Sequence, residues 1–559
     1  LTDDGLKELK KKLATYYAQI LFYAFLTDSK VTSLTDIITD INKNENNRRI
    51  CKNVGLNKDI LVLTQRYSNP FVLRQLDYKI HNINTLISDE KLKPIERVEA
   101  AMRKFGRLGS SEIVTPARVA DEMIALLPEK EITSSSKILD IATKQGEFTC
   151  ALYRRFGEKV RNNVHAIPTS PITYEFTRKV YGLLNMPIKN IFSDFTSYDL
   201  ISDKKEEYIK KLINMKFDAI VGNPPYQEND GSGASNDAAM PLYNRFVEVA
   251  RNIKPQYVTL IMPSKWMIGG RGLQKFREDF INDKHVEVMF DFEDSSECFI
   301  NQHIDGGICY FRWNKDYNGM VDYSYKDASG QIKREKRFLK DKNTKIVIRD
   351  TRRISLINKV SKEKSFADIV SFTQPFGIRK DLFNNPEKYA SVKTADNQFK
   401  DSVEIWGVKG IKGGARRTSC FIENKAVTKN REWIAKNKLL FTTSYSTNAT
   451  VPPVPILAGP NVIGTETFLV IGPFESAEEM KNCNKYIKTK FFRLYLFFGK
   501  GTMQVSKDVF LFVPLQDFTS QSDIDWSKSV KEIDAQLYKK YGLTEEEIAF
   551  VEGMVKEME

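Results

Sequence analysis

The amino-acid sequence predicts an α/β protein: a doubly wound, mostly parallel sheet, preceded by a helical domain and followed by an α+β domain. Three observations carry this expectation. Residues 1–107 place Leu6, Leu9, Leu13, Tyr16, Tyr17 and Ile20 at helical spacing, with few glycines or prolines. From Gly109 to about residue 315, short apolar runs alternate with amphipathic stretches, the pattern of strand–helix–strand units. Beyond about residue 330 that alternation stops, and β-like segments with basic connections take over. The expected domains are 1–107, 108–329 and 330–520, with a helical tail over 521–559.

In the central region, Pro116 stands near the first turn of a predicted helix over 118–127. Residues 137–142 read as a strand that contains Asp140, and the turn Thr143-Lys144-Gln145-Gly146 leads into a second helix through Cys150 and Tyr153. Strands are predicted over 163–167 and 190–194, separated by a helix over 174–184. Further on, a helix over 242–253 precedes a strand over 257–263, and two more strands, 287–292 and 307–313, flank Cys298-Phe299-Ile300.

The stretch with the most chemical content is Phe217-Asp218-Ala219-Ile220-Val221-Gly222-Asn223-Pro224-Pro225-Tyr226. Its apolar run predicts a buried strand that ends at Gly222. Two prolines then fix φ and remove two backbone donors, and Asn223, which precedes a proline, is held extended. This makes a stiff loop at the carboxyl end of a strand, where open α/β sheets bind ligands. It offers carbonyl oxygens, one amide side chain and one aromatic ring. Those groups suit an exocyclic amino group on a nucleobase, whose lone pair is delocalised into the ring. The Asn223 side-chain oxygen and the Pro224 carbonyl can accept its two N–H bonds, freeing the lone pair, while Tyr226 stacks on a base flipped out of the duplex. The competing structural reading is a proline turn with a surface tyrosine. The segment after Tyr226, 227–239, is rich in Gly, Ser, Asn and Asp and is expected to close over the flipped base.

Together, Thr115-Pro116, Asp140 with its glycine turn, the acidic strand end at Asp194 and Asn-Pro-Pro-Tyr resemble the gamma-class amino-methyltransferases of bacterial restriction–modification systems. Adenine-N6 enzymes of the type IIG kind are the most similar group. The resemblance implies a Rossmann-like methyltransferase domain using S-adenosyl-L-methionine (AdoMet) and a C-terminal target-recognition domain. It implies that Asn223, Pro224, Pro225 and Tyr226 form the catalytic loop. Thr115, Pro116, Asp140, Ala142, Gly146, Phe148, Asp194, Phe195 and Asn223 would hold the cofactor, and Tyr226 and Phe299 would sandwich the target base. Two positions depart from the family pattern. Lys144 stands where a glycine or other small residue is usual, and Ala166-Ile167-Pro168-Thr169-Ser170 lacks the acid that usually holds the cofactor ribose. Weaker AdoMet binding is therefore expected.

The net charge of +13 points to a polyanionic partner, here double-stranded DNA. Lys409, Lys412, Arg416 and Arg417, interleaved with glycines, read as a phosphate-binding loop. Most of the aromatics Phe491, Phe492, Tyr495, Phe497 and Phe498 are expected in a core. Gly499-Lys500-Gly501-Thr502 is not a nucleotide-hydrolase loop, because Leu494 stands at the place of that motif's first glycine. Six scattered cysteines without CxxC pairs exclude a zinc or disulfide framework, so no metal is expected. No apolar run is long enough to span a bilayer, which suggests a soluble, cytoplasmic protein with no membrane partner. The chain opens at Leu1 without methionine, a hint of a longer protein. A nuclease or helicase could lie upstream or on another subunit. The acidic cluster of Asp3, Asp4 and Glu8 lacks the strand such a nuclease site needs. Alternative readings keep the fold but take RNA guanine, a glutamine side chain or, less readily, cytosine-N4 as acceptor. A non-enzymatic alternative is a DNA-reading subunit of a nuclease or helicase complex.

Overall fold

The computed structural model describes residues 3–105, 113–227, 240–270, 272–300, 302, 304–327, 329–340, 346–411, 414–446, 449–500 and 503–558. It divides into two compact units. The first comprises 1–264, 271–276 and 283–338, and the second comprises 265–270, 277–282 and 339–559.

The first unit is built on an eight-stranded sheet: β1 (Ile138–Thr143), β2 (Val164–Pro168), β3 (Ala219–Gly222), β4 (Tyr257–Pro263), β5 (Val286–Phe292), β6 (Ile308–Asn314), β7 (Val321–Lys326) and β8 (Ile332–Arg337). Their order across the sheet is β2-β1-β3-β4-β6-β5-β7-β8. The pairs β1/β2, β1/β3 and β3/β4 are parallel. The strand β6 inserts antiparallel between β4 and β5. β1 through β4 are buried along their whole length, as strands covered by helices on both faces must be. The expected strand over 190–194 contracts to one parallel bridge, Ala166–Ile191, preceded by a single 3-10 turn at Ile188–Asn190. Asn190, Ile191 and Phe192 are buried there, of which only the last two are apolar, and Ser193 and Asp194 are exposed. Two apolar residues are too few to hold a longer ladder.

The N-terminal helices share their core with the α/β part. Helix Asp3–Leu26 supplies Phe22 and Phe25, which pack on Phe176 of helix Pro171–Leu183 at 5.4 and 5.5 Å between ring centres. Polar groups reinforce the same seam. Fully buried Glu175 accepts from Arg49 Nε at 2.8 Å, Asn53 Nδ2 at 2.7 Å and Arg178 Nε at 3.2 Å. An unpaired carboxylate at that depth would be strongly destabilising; with these donors it is tolerated.

The second unit contains a four-stranded and a three-stranded sheet. Its strands are β9 (Thr394–Ala395), β10 (Ser402–Ile411), β11 (Gly414–Glu423), β12 (Asn437–Thr442), β13 (Ile456–Ala458), β14 (Val462–Gly464) and β15 (Phe468–Phe474). The orders are β14-β10-β11-β9 and β13-β12-β15. Phe491, Phe492, Tyr495 and Phe498 lie in its core. Trp526, Ile533, Leu537 and Val551 of the last segment join that same core. Asp534 accepts from the backbone N–H groups of Lys490 and Phe491, each at 2.9 Å, capping helix Lys490–Gly499.

Candidate active site

The site forms where β1 and β3 end side by side. Asp140 of β1 is completely buried and pairs in register with Val221 of β3. Its Oδ1 accepts from the Ala142 N–H at 3.2 Å, while Oδ2 has no hydrogen-bond partner among the described residues. Burial, reinforced by the nearby negative charge of Glu147, pushes the Asp140 carboxyl up to about 8.

Two glycines shape the floor. Gly146 has φ +85°, and a Cβ there would crowd Val180 at 3.3 Å. Gly222 has φ +149°, and a Cβ there would stand 3.2 Å from both Asp140 Oδ1 and Ile141 Cγ2. Glycine at 222 thus lets the Asn223–Tyr226 loop leave β3 directly over the carboxylate. Helix Glu147–Phe156 starts immediately after Gly146. Its first residue accepts from Gln145 N at 2.8 Å and Thr115 N at 3.4 Å, drawing segment 113–116 over the turn.

Asn223 is 1% exposed. Its Nδ2 donates to the Ile113 carbonyl and to Thr115 Oγ1, both at 3.1 Å. A carbonyl can only accept, so these partners fix which end of the amide is nitrogen. Oδ1 is left buried without a hydrogen-bond partner among the described residues. Pro224 is buried, whereas Pro225 and Tyr226 are half-buried. The Tyr226 ring packs against the cluster containing Cys298, Phe299 and Tyr310, and its carbonyl accepts from Leu242 N at 3.0 Å. Burial raises the Tyr226 phenol well above its ordinary value, so the hydroxyl stays protonated.

The structure thus gathers Thr115, Pro116, Asp140, Ala142, Gly146, Asn223, Pro224, Pro225 and Tyr226 at one sheet edge. Phe148 and Phe299 are buried in the adjoining core. Asp194 and Phe195 follow the Ala166–Ile191 bridge, hence stand beyond β2. There Asp194 is exposed and paired with Lys211 at 2.7 Å, and Phe195 stacks on Tyr208 with ring centres 4.5 Å apart. The Thr169 and Ser170 hydroxyls form the cap of helix Pro171–Leu183 around Thr173, at 3.3 and 3.4 Å. Residues 228–239 lie outside the described residues.

Two contributors were not assigned their structural roles on the sequence. Glu147 holds Thr115, and an acid in the first turn after a strand-ending glycine was its available signal. Lys144 was read as a departure from the family pattern, a cation unwelcome beside the cofactor unless it points outward. Instead it is 3% exposed, and its Nζ donates to the Ile113 carbonyl at 2.7 Å and the Asn223 carbonyl at 2.9 Å.

The basic stretch of the second unit is a hairpin rather than a loop. Ten pairs run from Ser402–Glu423 to Ile411–Gly414. Lys409 and Arg416 are exposed and directly opposite one another. Arg417 points to the other face, donating to the Val454 carbonyl at 2.7 Å with its guanidinium 5.8 Å from the Phe468 ring centre. Lys412 lies outside the described residues.

Residues 132–299, which carry Asp140, Gly146, Asn223 and Tyr226, match the sequence profile named "Eco57I restriction-modification methylase". An "Uncharacterized adenine-specific methylase" of Mycoplasma pneumoniae is 38% identical over 152 residues, covering 26% of this chain and 36% of that protein. The match therefore spans about a third of the relative's length. Among solved structures, the type IIL restriction–modification enzyme MmeI in complex with DNA aligns over 96% of this chain and 89% of its own, at 11% identity and a TM-score of 0.46. The DrdV–DNA complex aligns over 93% and 66%, at 11% identity and a TM-score of 0.47. Among the described residues there is no group of three His, Cys, Asp or Glu side chains placed to hold a metal. Nor is any helix among the described residues long and apolar enough to cross a membrane.

Proposed function

We propose that the chain transfers a methyl group from AdoMet to the N6 amino group of a flipped-out adenine in duplex DNA, as the modification part of a restriction–modification system. The observation that carries this reading is Asn223 Oδ1: buried, without a hydrogen-bond partner among the described residues, and held in one orientation by two bonds to the opposite end of its amide. A buried acceptor without a donor is costly to maintain, and an amino group entering the site would satisfy it.

The chain's residues fit AdoMet. Asp140 Oδ2 is a second buried acceptor without a hydrogen-bond partner among the described residues, suited to a cationic or hydroxyl group of the cofactor. The Gly146 turn lets backbone approach a ligand, and segment 113–116 closes over it. When bound, AdoMet supplies a methyl group on a positively charged sulfur, an electrophile that a neutral amine can attack. Asn223 Oδ1 and the Pro224 carbonyl accept the two N–H bonds of the adenine amine and localise its lone pair. The Tyr226 ring offers a stacking face at the mouth of the loop. The uncharged Tyr226 hydroxyl agrees with a mechanism in which no base removes a proton before attack.

Duplex DNA is favoured over RNA or protein acceptors by the second unit, where Lys409 and Arg416 present paired cations on an exposed hairpin face. Nuclease or helicase activity would reside in other parts of such a system. The test is transfer of tritium from labelled AdoMet into mixed-sequence duplex DNA. Label should enter the DNA with the unmodified chain and fall by about a hundredfold or more with Asn223→Ala, a loss typical of removing a preorganised transition-state partner. Duplex binding should survive that substitution. An Asn223→Ala chain with near-normal transfer would overturn the reading.

A further inference from the structure

We propose that Lys144 is a positioning residue for Asn223: its ammonium pins the catalytic loop to segment 113–116 and thereby sets the orientation of the Asn223 amide. The inference rests on the methyl-transfer reading of the site and adds a residue where glycine or another small residue would be usual.

A lysine at 3% exposure needs acceptors for its N–H bonds, because burying an ammonium without them is strongly unfavourable. Its acceptors are informative. The Ile113 carbonyl belongs to the irregular segment leading to Pro116, and the Asn223 carbonyl belongs to the peptide bond to Pro224. Neither stretch has a strand ladder to fix it, and Pro116, Pro224 and Pro225 have removed backbone donors that could have done so. The lysine supplies donors that the backbone lacks.

The bonds close into a ring. Ile113 O accepts from both Lys144 Nζ and Asn223 Nδ2, using both lone pairs. Lys144 Nζ also holds the backbone carbonyl of Asn223 itself. Main chain and side chain of the catalytic residue are therefore tied to one point. With Nδ2 committed to Ile113 and Thr115, Oδ1 is the end left for a substrate amine. Without the ammonium, the Ile113 carbonyl is free to move and the amide can rotate, presenting nitrogen where oxygen is required. The ammonium also lies close enough to Asp140 to offset part of the cost of burying that carboxyl.

The competing role for a cation here is to exclude a positively charged cofactor, and the two roles give opposite results. The test compares the full chain with Lys144→Met, which keeps the stem and loses the donors, and with Lys144→Ala. Melting curves establish that each variant is folded. With saturating AdoMet and DNA, kcat of Lys144→Met should fall by about tenfold or more, as for a misplaced reacting group. DNA affinity should stay within about twofold, since no phosphate contact changes. Propylammonium should restore part of the activity of Lys144→Ala, whereas tetramethylammonium, which has no N–H donor, should not. A second readout needs no chemistry: backbone hydrogen exchange at Thr115 should be faster in Lys144→Met than in the unmodified chain. Should the unmodified chain transfer no methyl group to any DNA, the functional reading fails and this exchange measurement decides the pin alone. A Lys144→Met chain with unchanged or higher kcat, or with tighter AdoMet binding and faster turnover, overturns the proposal whatever its exchange rate.

Discussion

The Asn223 side-chain amide donates to the Thr115 hydroxyl oxygen at 3.1 Å, and Thr115 is itself held by its backbone N–H to Glu147 at 3.4 Å. Helix Glu147–Phe156 thus governs the orientation of an amide on a loop distant in sequence. Thr115→Val keeps shape and removes the acceptor. Loss of one neutral hydrogen bond is worth roughly 1 kcal/mol, so kcat should fall by about fivefold, while Thr115→Ser should remain close to the unmodified chain. Steady-state methyl transfer measures both. Equal losses in the two variants would mean that packing, not the hydroxyl, matters.

Asp140 gives a pH dependence with a definite sign. Its carboxyl is raised to about 8 in the folded chain, first by burial and then by repulsion from Glu147. The folded state therefore binds this proton more tightly than the unfolded state. The group's contribution to stability is complete below the ordinary carboxylate range and is lost as pH rises through about 8. Asp140→Asn, which imitates the neutral acid, should accordingly gain in melting temperature relative to the unmodified chain between pH 5 and pH 9. A gap independent of pH would show that Asp140 is ionised throughout. Binding of a cation favours the carboxylate, so AdoMet binding near pH 7 should release a proton, detectable by calorimetry in buffers of different ionisation enthalpy.

The hairpin separates two kinds of arginine. Lys409→Ala and Arg416→Ala, on the exposed face, should each reduce the slope of log affinity for duplex DNA against log salt by about one unit. Arg417→Ala should leave the slope unchanged and lower the melting temperature, because its guanidinium is bonded to Val454 and lies against Phe468. A shallower slope with Arg417→Ala would place that side chain on the phosphate face.

The sequence was most legible where burial and period agree. The strand expected over 257–263 is observed as Tyr257–Pro263, and those expected over 137–142 and 163–167 each begin and end one residue later. Long-range pairing left no local signal: nothing in Ile308–Asn314 announces that it runs antiparallel between β4 and β5. The basic hairpin was misread as a loop because its glycines drew attention away from the alternating Val403, Ile405 and Gly407, which are buried in turn. Gly413-Gly414 between such runs was the signal for a hairpin. The structural role of Lys144 was not legible, because its acceptors, two loop carbonyls, leave no trace in the side-chain pattern.

The central claim, that the acceptor is adenine N6, is tested most directly by modification-aware sequencing of a mixed-sequence plasmid incubated with the chain and AdoMet. The account expects N6-methyladenine at one recurring short sequence, and none when Asn223→Ala replaces the unmodified chain. Methylation on cytosine N4, or a plasmid left unmodified at every site, would contradict it.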